Sequence, residues 1–191
     1  MDGTLYQLDG IDGGFKGSSL QKRVNENAKK FIARIGKISI EKAQEIFDEA
    51  STNSIGISVF IAKKYQIERV DYFNDVWNID PENIVKNFDV SVKTIENLVK
   101  TNAKLILVTS APKVWQEKVT EFLELTRFFE ATYTGEDFNN KEEIFKLLSE
   151  NYAPSSMISI GDQKDTDILA AEKFGIKGFL IKSPMELSRL I

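Results

Sequence analysis

The stretch MISIGDQKDTD, residues 157–167, carries the pattern that decides the fold. It opens with a short apolar run, residues 157–160, which is typical of a buried β-strand. Gly161 then breaks the strand, and Asp162, Asp165 and Asp167 follow it closely. Open α/β sheets bind their ligands just beyond the carboxyl ends of the strands. The stretch therefore predicts an α/β fold with a ligand site at the end of this strand.

The three aspartates repel one another, so a positive charge is expected among them. Mg²⁺ takes oxygen ligands, commonly one or two carboxylates together with water and substrate phosphate. We predict that Asp162 and Asp167 serve a Mg²⁺ site. Asp165 has a simpler interpretation, because helical spacing resumes at residue 168 and an aspartate just before a helix caps its first turn.

Composition excludes several classes of function. The chain has 191 residues, which fits one domain or a core with a modest insertion, and its net charge of −4 disfavours non-specific nucleic-acid binding. It has no cysteine and no histidine, so disulfides, thiolate sites and imidazole chemistry are excluded. No apolar run approaches the ~20 residues of a membrane span, and no signal peptide is visible. We expect a cytoplasmic monomer or weak dimer without membrane or nucleic-acid partners.

A helical insertion is predicted over residues 13–84, between two parts of an α/β core at residues 1–12 and 85–191. Four consecutive segments between residues 20 and 77 have apolar residues at helical spacing. A glycine-rich loop precedes them, and Asp80-Pro81 marks the far boundary. Tyr72, Phe73 and Trp77 are interpreted as the core of this bundle.

A second strand is predicted at residues 104–108, a nearly continuous apolar run that ends in Thr109 and Ser110. Pro112 suits the first turn of a following helix, whose free N–H groups can bind a phosphate. Capping of that helix by Ser110 is the alternative. The strand–helix alternation from residue 92 onward predicts a doubly wound parallel sheet.

Lys141 opens another predicted helix. A lysine in a first turn is unfavourable against the helix dipole, and it makes better sense if the ammonium group faces an anion. Lys146 is a competing candidate for the same role, and a solvated surface lysine is the simplest alternative.

The first residues, Met1-Asp2-Gly3-Thr4-Leu5-Tyr6, together with the stretch GDQKDTD, resemble the haloacid dehalogenase superfamily of phosphohydrolases. The family's first motif is an apolar strand that ends in Asp-x-Asp-Gly-Thr-Leu, so Met1 stands at x and Asp2 is the second aspartate. Thr109 matches the second motif, and Lys141 matches the third loosely, because Glu142 follows where proline is common. The resemblance implies a Rossmann-like core with an inserted helical cap.

The resemblance also implies roles for individual residues. Asp2 would act as the acid and base and lend its backbone carbonyl to Mg²⁺. Thr109 and Lys141 would hold the phosphoryl group of a small phosphorylated metabolite. Asp162 would bind Mg²⁺ directly, and Asp167 would bind it directly or through water.

The resemblance further implies which residues contact the substrate. Ser110 follows Thr109 where many members carry asparagine. The position of the cap and the Leu5-Tyr6 pair look most like the pyrimidine 5′-nucleotidase-like group, which implies nucleoside monophosphates as substrates. Asn53 and Ser54, between two cap helices, are the candidates for substrate selection.

The first aspartate of the motif, the nucleophile, falls immediately before Met1. We expect the natural chain to begin upstream with an apolar run that ends in this aspartate, and the chain as written to be poorly stable and close to inactive. A non-catalytic relative that binds a phosphorylated ligand or a partner protein is the main alternative. A phospho-accepting receiver domain also clusters aspartates around Mg²⁺, but it gives no reason for a long helical insertion.

Overall fold

The computed structural model describes residues 1–190. The chain divides into two compact units. We call Met1–Ser18 with Pro81–Ile191 the core unit, and Ser19–Asp80 the helical unit. The helical unit lies inside the insertion predicted over residues 13–84, and residues 13–18 and 81–84 belong to the core unit. The reason lies in the backbone, since Leu8 donates an N–H bond to Gly13 and thereby holds the glycine-rich loop on the core unit.

The helical unit consists of the four helices that the apolar spacing predicts. They are α1 (Ser19–Gly36), α2 (Ile40–Thr52), α3 (Ile57–Tyr65) and α4 (Arg69–Val76). The side chain of Ser39 caps α2 by accepting the N–H of Lys42. Tyr72 is buried and its ring meets that of Phe31 edge-on with 5.6 Å between centroids, whereas Trp77 is only half-buried. The bundle core therefore rests on Tyr72 more than on Trp77.

The core unit alternates helices and strands, as the sequence predicts. In chain order the elements are α5 (Asp89–Lys100), β1 (Leu105–Val108), α6 (Lys113–Phe122), β2 (Phe129–Tyr133), α7 (Lys141–Asn151), β3 (Ile158–Gly161), α8 (Ala170–Glu172) and β4 (Lys177–Leu180). Short 3₁₀ turns occur at Ile11–Gly13, Thr126–Phe128, Pro154–Ser156 and Pro184–Leu190. Among the described residues no helix is long and apolar enough to cross a membrane.

The strands pair in parallel, which confirms the α/β class. Strand β1 pairs with β2, with Val108 opposite Tyr133, and β3 pairs with β4, with Gly161 opposite Leu180. The described residues thus form two parallel pairs rather than one continuous sheet. The second edges of β1 and β3 have no strand partner within residues 1–190.

Strands β1 and β3 are less buried than their apolar sequences predict. In β1 only Leu107 is fully buried, and in β3 Ile158 is 59% exposed. A parallel strand inside a sheet is normally covered on both faces. The exposure of these apolar residues follows from the lack of a neighbour along one edge of each strand.

The segment after β3 departs from the predicted capped helix. Lys164–Leu169 forms a π-helical stretch that runs directly into α8, and Gln163 occupies its N-cap position. Asp165 lies inside this stretch, so the prediction that Asp165 caps the helix is wrong. Asp167 makes the hydrogen bond at the start of this segment instead, since its carboxylate accepts the N–H of Gln163 at 3.1 Å.

Residues 1–6 fold into a tight turn. The N–H of Gly3 donates to the carbonyl of Tyr6, and that of Leu5 donates to the carbonyl of Met1, both at 2.8 Å. The hydroxyl of Ser91, on α5, donates to the carbonyl of Leu5. This bond fixes the turn to α5 and so fixes the position of Asp2.

Candidate functional site

Four separate segments of the core unit line one small cavity. They are the turn at Met1 and Asp2, the residues Thr109, Ser110 and Ala111 after β1, Lys141 at the start of α7, and Asp162, Gln163 and Asp167 after β3. The structure thereby brings together every site residue that the sequence predicts in the core unit. Parallel strands place their carboxyl ends at one edge, which is why residues so distant in sequence meet here.

Lys141 and Asp167 form a buried ion pair in this cavity. Lys141 Nζ lies 2.5 Å from Asp167 Oδ1, and the two side chains are 10% and 9% exposed. The other carboxylate oxygen of Asp167 accepts the N–H of Gln163. Lys146, the competing candidate, is exposed on the surface of the same helix. The structure thus places Lys141, and not Lys146, in the cavity.

Asp162 is held by a residue that the sequence analysis did not select. Thr4 Oγ1 donates to Asp162 Oδ1 at 2.8 Å, and Thr4 itself is buried. The other carboxylate oxygen lies beside Gly3, where an added Cβ would stand 2.4 Å from it. The Asp-Gly-Thr sequence could have indicated this contact, because it places a hydroxyl group two residues after Asp2. Gly3 and Thr4 together orient the Asp162 carboxylate.

Gly3→Ala is expected to destabilise the protein more than Gly56→Ala. Both glycines have a positive φ, +76° and +82°, so both substitutions carry backbone strain. Only at Gly3 does a Cβ also collide with Asp162, since nothing lies within 4 Å of a Cβ at Gly56. We expect a further loss of about 1–3 kcal/mol in unfolding free energy, measured by urea denaturation. Equal losses at the two positions would contradict this close packing.

Two hydrogen bonds in series lead from Trp115 through Tyr6 to Asp2. Trp115 Nε1 donates to the Tyr6 hydroxyl at 3.0 Å, and that hydroxyl donates to Asp2 Oδ1. Burial, then the charge of Asp2, raises the pKa of Tyr6 well above its ordinary value. Tyr6 therefore stays protonated and remains a donor to Asp2. Nothing in the spacing of Tyr6 and Trp115 along the sequence could have revealed this contact.

Thr109 and Ser110 differ in what their hydroxyls can do. Thr109 is buried, and its Oγ1 accepts the N–H of Ala111 at 3.1 Å. Ser110 is exposed at the cavity and does not occupy the cap of α6, because Pro112 holds the N-cap position. Thr109 shapes the turn, whereas Ser110 is accessible to a ligand.

Asn53 and Ser54 belong to the helical unit and lie between α2 and α3. Both are exposed, and Asn53 Oδ1 accepts the N–H of Ile55 at 3.1 Å. This bond gives Asn53 a local role in its turn. Their role in substrate selection stays a prediction.

The carboxylates of the cavity suit Mg²⁺ better than a metal that requires all of its ligands from protein side chains. Within residues 1–190 no group of three acidic side chains is close enough to hold a metal. Mg²⁺ requires only one or two carboxylates and completes its shell with water and phosphate oxygens. Asp162 fits this description, since its neighbours are a hydroxyl and a glycine rather than a cation.

The family model of haloacid dehalogenase-like hydrolases matches residues 1–181. The chain belongs to this family. None of the curated proteins matches the chain significantly.

Solved structures show the same fold for this haloacid dehalogenase-like chain. A HAD phosphatase from Thermococcus onnurineus is 18% identical, with a TM-score of 0.62 over 90% of this chain and 89% of that one. The HAD hydrolase YfnB from Bacillus subtilis, bound to magnesium, is 18% identical, with a TM-score of 0.54 over 97% and 93%. A HAD-superfamily hydrolase of subfamily IA from Geobacter sulfurreducens is 14% identical, with a TM-score of 0.52 over 92% and 95%.

Proposed function

We propose that this haloacid dehalogenase-like hydrolase is a Mg²⁺-dependent phosphatase that acts on a small phosphomonoester. The observation that carries the proposal is the convergence of Asp2, Thr109, Lys141, Asp162 and Asp167 on one cavity. Phosphoryl transfer depends mainly on positioning and on neutralising charge, and this set supplies both. The Lys141 ammonium group and the Ser110 hydroxyl belong to residues that line the cavity where the phosphoryl group would bind.

Lys141 and Ser110 are assigned to the phosphoryl group. Lys141 already makes a short ion pair with Asp167, which holds the ammonium group in the cavity before substrate arrives. Ser110 is exposed there, and Thr109 fixes the turn that presents it. Preorganised donors of this kind stabilise the charge that develops on the transferring oxygens.

Asp2 is assigned the proton transfers. The Tyr6 hydroxyl bonds to one carboxylate oxygen of Asp2 and orients the other. A protonated Asp2 would give its proton to the leaving oxygen as the phosphorus–ester bond breaks, and its carboxylate would then deprotonate the attacking water. The nucleophile would be the first aspartate of the family's motif, whose second aspartate is Asp2. The carboxylate oxygen of that first aspartate would bond to phosphorus in the first step, giving an aspartyl phosphate that water cleaves in the second.

Mg²⁺ is proposed as the cofactor because YfnB is bound to magnesium and because the candidate ligands that line the cavity are aspartates, in a chain without histidine or cysteine. When bound, Mg²⁺ would neutralise charge on the phosphate oxygens. Asp162 would hold it directly, together with the backbone carbonyl of Asp2. Both oxygens of Asp167 already accept hydrogen bonds, so Asp167 would support the metal through water.

Asp162→Asn is expected to weaken Mg²⁺ binding at least about tenfold, because a neutral amide replaces the direct carboxylate ligand. Asp165→Asn is the matched control, since Asp165 is an exposed aspartate on the π-helical stretch just after Asp162. Isothermal titration of Mg²⁺ into both variants measures the effect. Equal affinity in the two variants would remove Asp162 from the metal site.

Nucleoside monophosphates are proposed as substrates ahead of sugar phosphates, with Asn53 and Ser54 contributing to the choice. The support is the cap position and the Leu5-Tyr6 pair. A phosphate-release panel across both classes, run on the chain with an aspartate-ending strand added before Met1, tests it. We expect higher kcat/KM for the nucleotides, and a clear preference for sugar phosphates would refute the assignment.

A non-catalytic role is the second candidate, because Lys141 and the exposed Ser110 line the same cavity. Lys141 and Ser110 could bind a phosphorylated ligand or a phosphorylated partner protein without turnover. Binding of such a ligand by the strand-extended chain, with no phosphate release from any ester, would favour this candidate over the phosphatase.

A further inference from the structure

All four polar atoms of Asp167 have hydrogen-bond partners. Its Oδ1 pairs with Lys141, and its Oδ2 accepts the N–H of Gln163. Its backbone N–H donates to the carbonyl of Gln163 at 2.9 Å. Its own carbonyl accepts the hydroxyl of Ser159 at 2.7 Å. Of these four bonds, the one from Ser159 is the only one that comes from a strand, because Ser159 lies in β3.

The π-helical stretch lies close against one face of β3 and β4. Ser159 and Gly161 are two residues apart in β3 and so share a face, and Ser159 stands opposite Gly178 in β4. A Cβ at Gly161 would stand 2.3 Å from Asp167 Oδ2, and a Cβ at Gly178 would stand 2.3 Å from Ile168 Cγ2. The two glycines therefore allow the close approach, and Ser159 makes the bond across it.

The backbone around Asp167 is not a regular α-helix. The N–H of Ala170 bonds to the carbonyl of Asp165, five residues earlier, so Asp167 lies within a wider turn. Such turns are irregular and occur frequently at functional sites. The position of Asp167 within this turn therefore depends on bonds from outside the helix, and Ser159 supplies one of them.

The bond from Ser159 also relates Asp167 to Asp162. Strand β3 ends at Gly161, and Asp162 follows directly. Ser159 thus ties Asp167 to the same strand whose end carries Asp162. Mg²⁺ demands nearly ideal octahedral geometry, so a metal held directly by one carboxylate and through water by the other needs a fixed separation between them.

We propose that Ser159 is a positioning residue, which holds Asp167 opposite Lys141 and at a fixed separation from Asp162. It acts through the backbone carbonyl of Asp167 and contacts neither the metal nor the phosphoryl group. The consequence for Mg²⁺ rests on the proposed function, whereas the hold on Asp167 does not.

A simpler role for Ser159 predicts a different result. A half-buried serine in a strand needs a partner for its hydroxyl, and the carbonyl of Asp167 could serve only that need. Removal of the hydroxyl would then leave Asp167 in place. The two roles differ in what happens to the other bonds of Asp167.

The first test is Ser159→Ala in the 191-residue chain, with amide hydrogen exchange followed residue by residue by NMR. The amides of Gln163 and Asp167 report two of the bonds at Asp167, and we expect both to exchange at least about fivefold faster. The amide of Thr109, which donates to Tyr133 in the other strand pair, should change less than about twofold.

Ser149→Ala is the matched control. Ser149 is also half-buried, and its hydroxyl also donates to a backbone carbonyl at 2.7 Å, that of Lys146 in α7. The substitution removes the same group and the same kind of bond, but nothing that touches Asp167. Exchange at Gln163 and Asp167 should stay within about twofold of the unaltered chain.

The second test is isothermal titration with Mg²⁺. We expect Ser159→Ala to lower the affinity about three- to tenfold, less than the roughly 10–100-fold typical of residues bonded directly to a metal ligand. In the Asp167→Asn background the same substitution should change the affinity less than about twofold, because its effect passes through the Asp167 carboxylate.

Faster exchange at Gln163 and Asp167 in Ser159→Ala alone, with a loss of Mg²⁺ affinity that depends on Asp167, supports the proposal. Unchanged exchange at these amides, or equal acceleration in Ser149→Ala, overturns it. An equal loss of Mg²⁺ affinity in the Asp167→Asn background overturns it too. Faster exchange in a chain that binds no Mg²⁺ would count against the proposed function, while it would still support Ser159 as the residue that holds Asp167.

Discussion

Lys141→Met is expected to lower the free energy of unfolding by about 3 kcal/mol, measured by urea denaturation. The substitution leaves the Asp167 carboxylate almost fully buried without the cation that it now touches at 2.5 Å. Removing one partner of a buried pair costs much more than the pair contributes, because the remaining charge stays desolvated. In the strand-extended chain the same substitution should also lower phosphate release by about 10²–10³-fold.

Lys146→Met is the matched control for Lys141→Met. It makes the same substitution in the same helix, but at an exposed position, where we expect a change within about 0.5 kcal/mol. Asp167→Asn and the double variant complete a thermodynamic cycle. A coupling energy below about 0.5 kcal/mol would show that the Lys141–Asp167 contact does not hold the site together.

Adding an apolar strand that ends in aspartate directly before Met1 is expected to raise turnover of an aryl phosphate at least about 10³-fold over the 191-residue chain. The added carboxylate would supply the nucleophile beside Lys141, and the added strand would pair along the free edges of β1 and β3. Covalent attachment also gives the strand a high effective concentration at its site. We expect the melting temperature to rise by about 5 °C or more, because buried apolar side chains each contribute ~1.5–3 kcal/mol.

The same addition ending in asparagine separates the two effects. It should keep the gain in melting temperature and lose the gain in turnover. A 191-residue chain that already releases phosphate at a normal enzyme rate would contradict the role given to the added aspartate. Turnover by the asparagine version would contradict the aspartyl-phosphate route.

Local signals in the sequence were sufficient for most elements of the fold. The apolar run before Thr109 and the break at Gly161 both mark real strand ends, and Lys141 does open α7. These features depend on neighbouring residues, so single-sequence reasoning can find them. It found Thr109, Ser110, Lys141, Asp162 and Asp167 for the same reason, since each stands at the end or the start of a recognisable element. Asp2 was found only through the resemblance to the family's first motif.

Long-range geometry was beyond such reasoning. The Thr4–Asp162 hydrogen bond joins opposite ends of the polypeptide. The series of hydrogen bonds from Trp115 to Asp2 depends on how α6 packs against the turn at residues 1–6. The π-helical stretch that displaces Asp165 from the cap arises because Asp167 bonds back to Gln163. The division into two strand pairs depends on what lies along a strand edge, which the strand's own residues do not reveal.

The buried contact between Trp115 and Tyr6 makes the protein's own fluorescence a reporter. The chain has two tryptophans, and each compact unit contains one, Trp77 in the helical unit and Trp115 in the core unit. Replacing Trp77 by phenylalanine would leave a tryptophan emission that comes only from Trp115, whose indole is hydrogen-bonded to Tyr6, which in turn bonds to Asp2. Any event that moves Asp2 then becomes visible as a change in light emission, without a label and without a reaction.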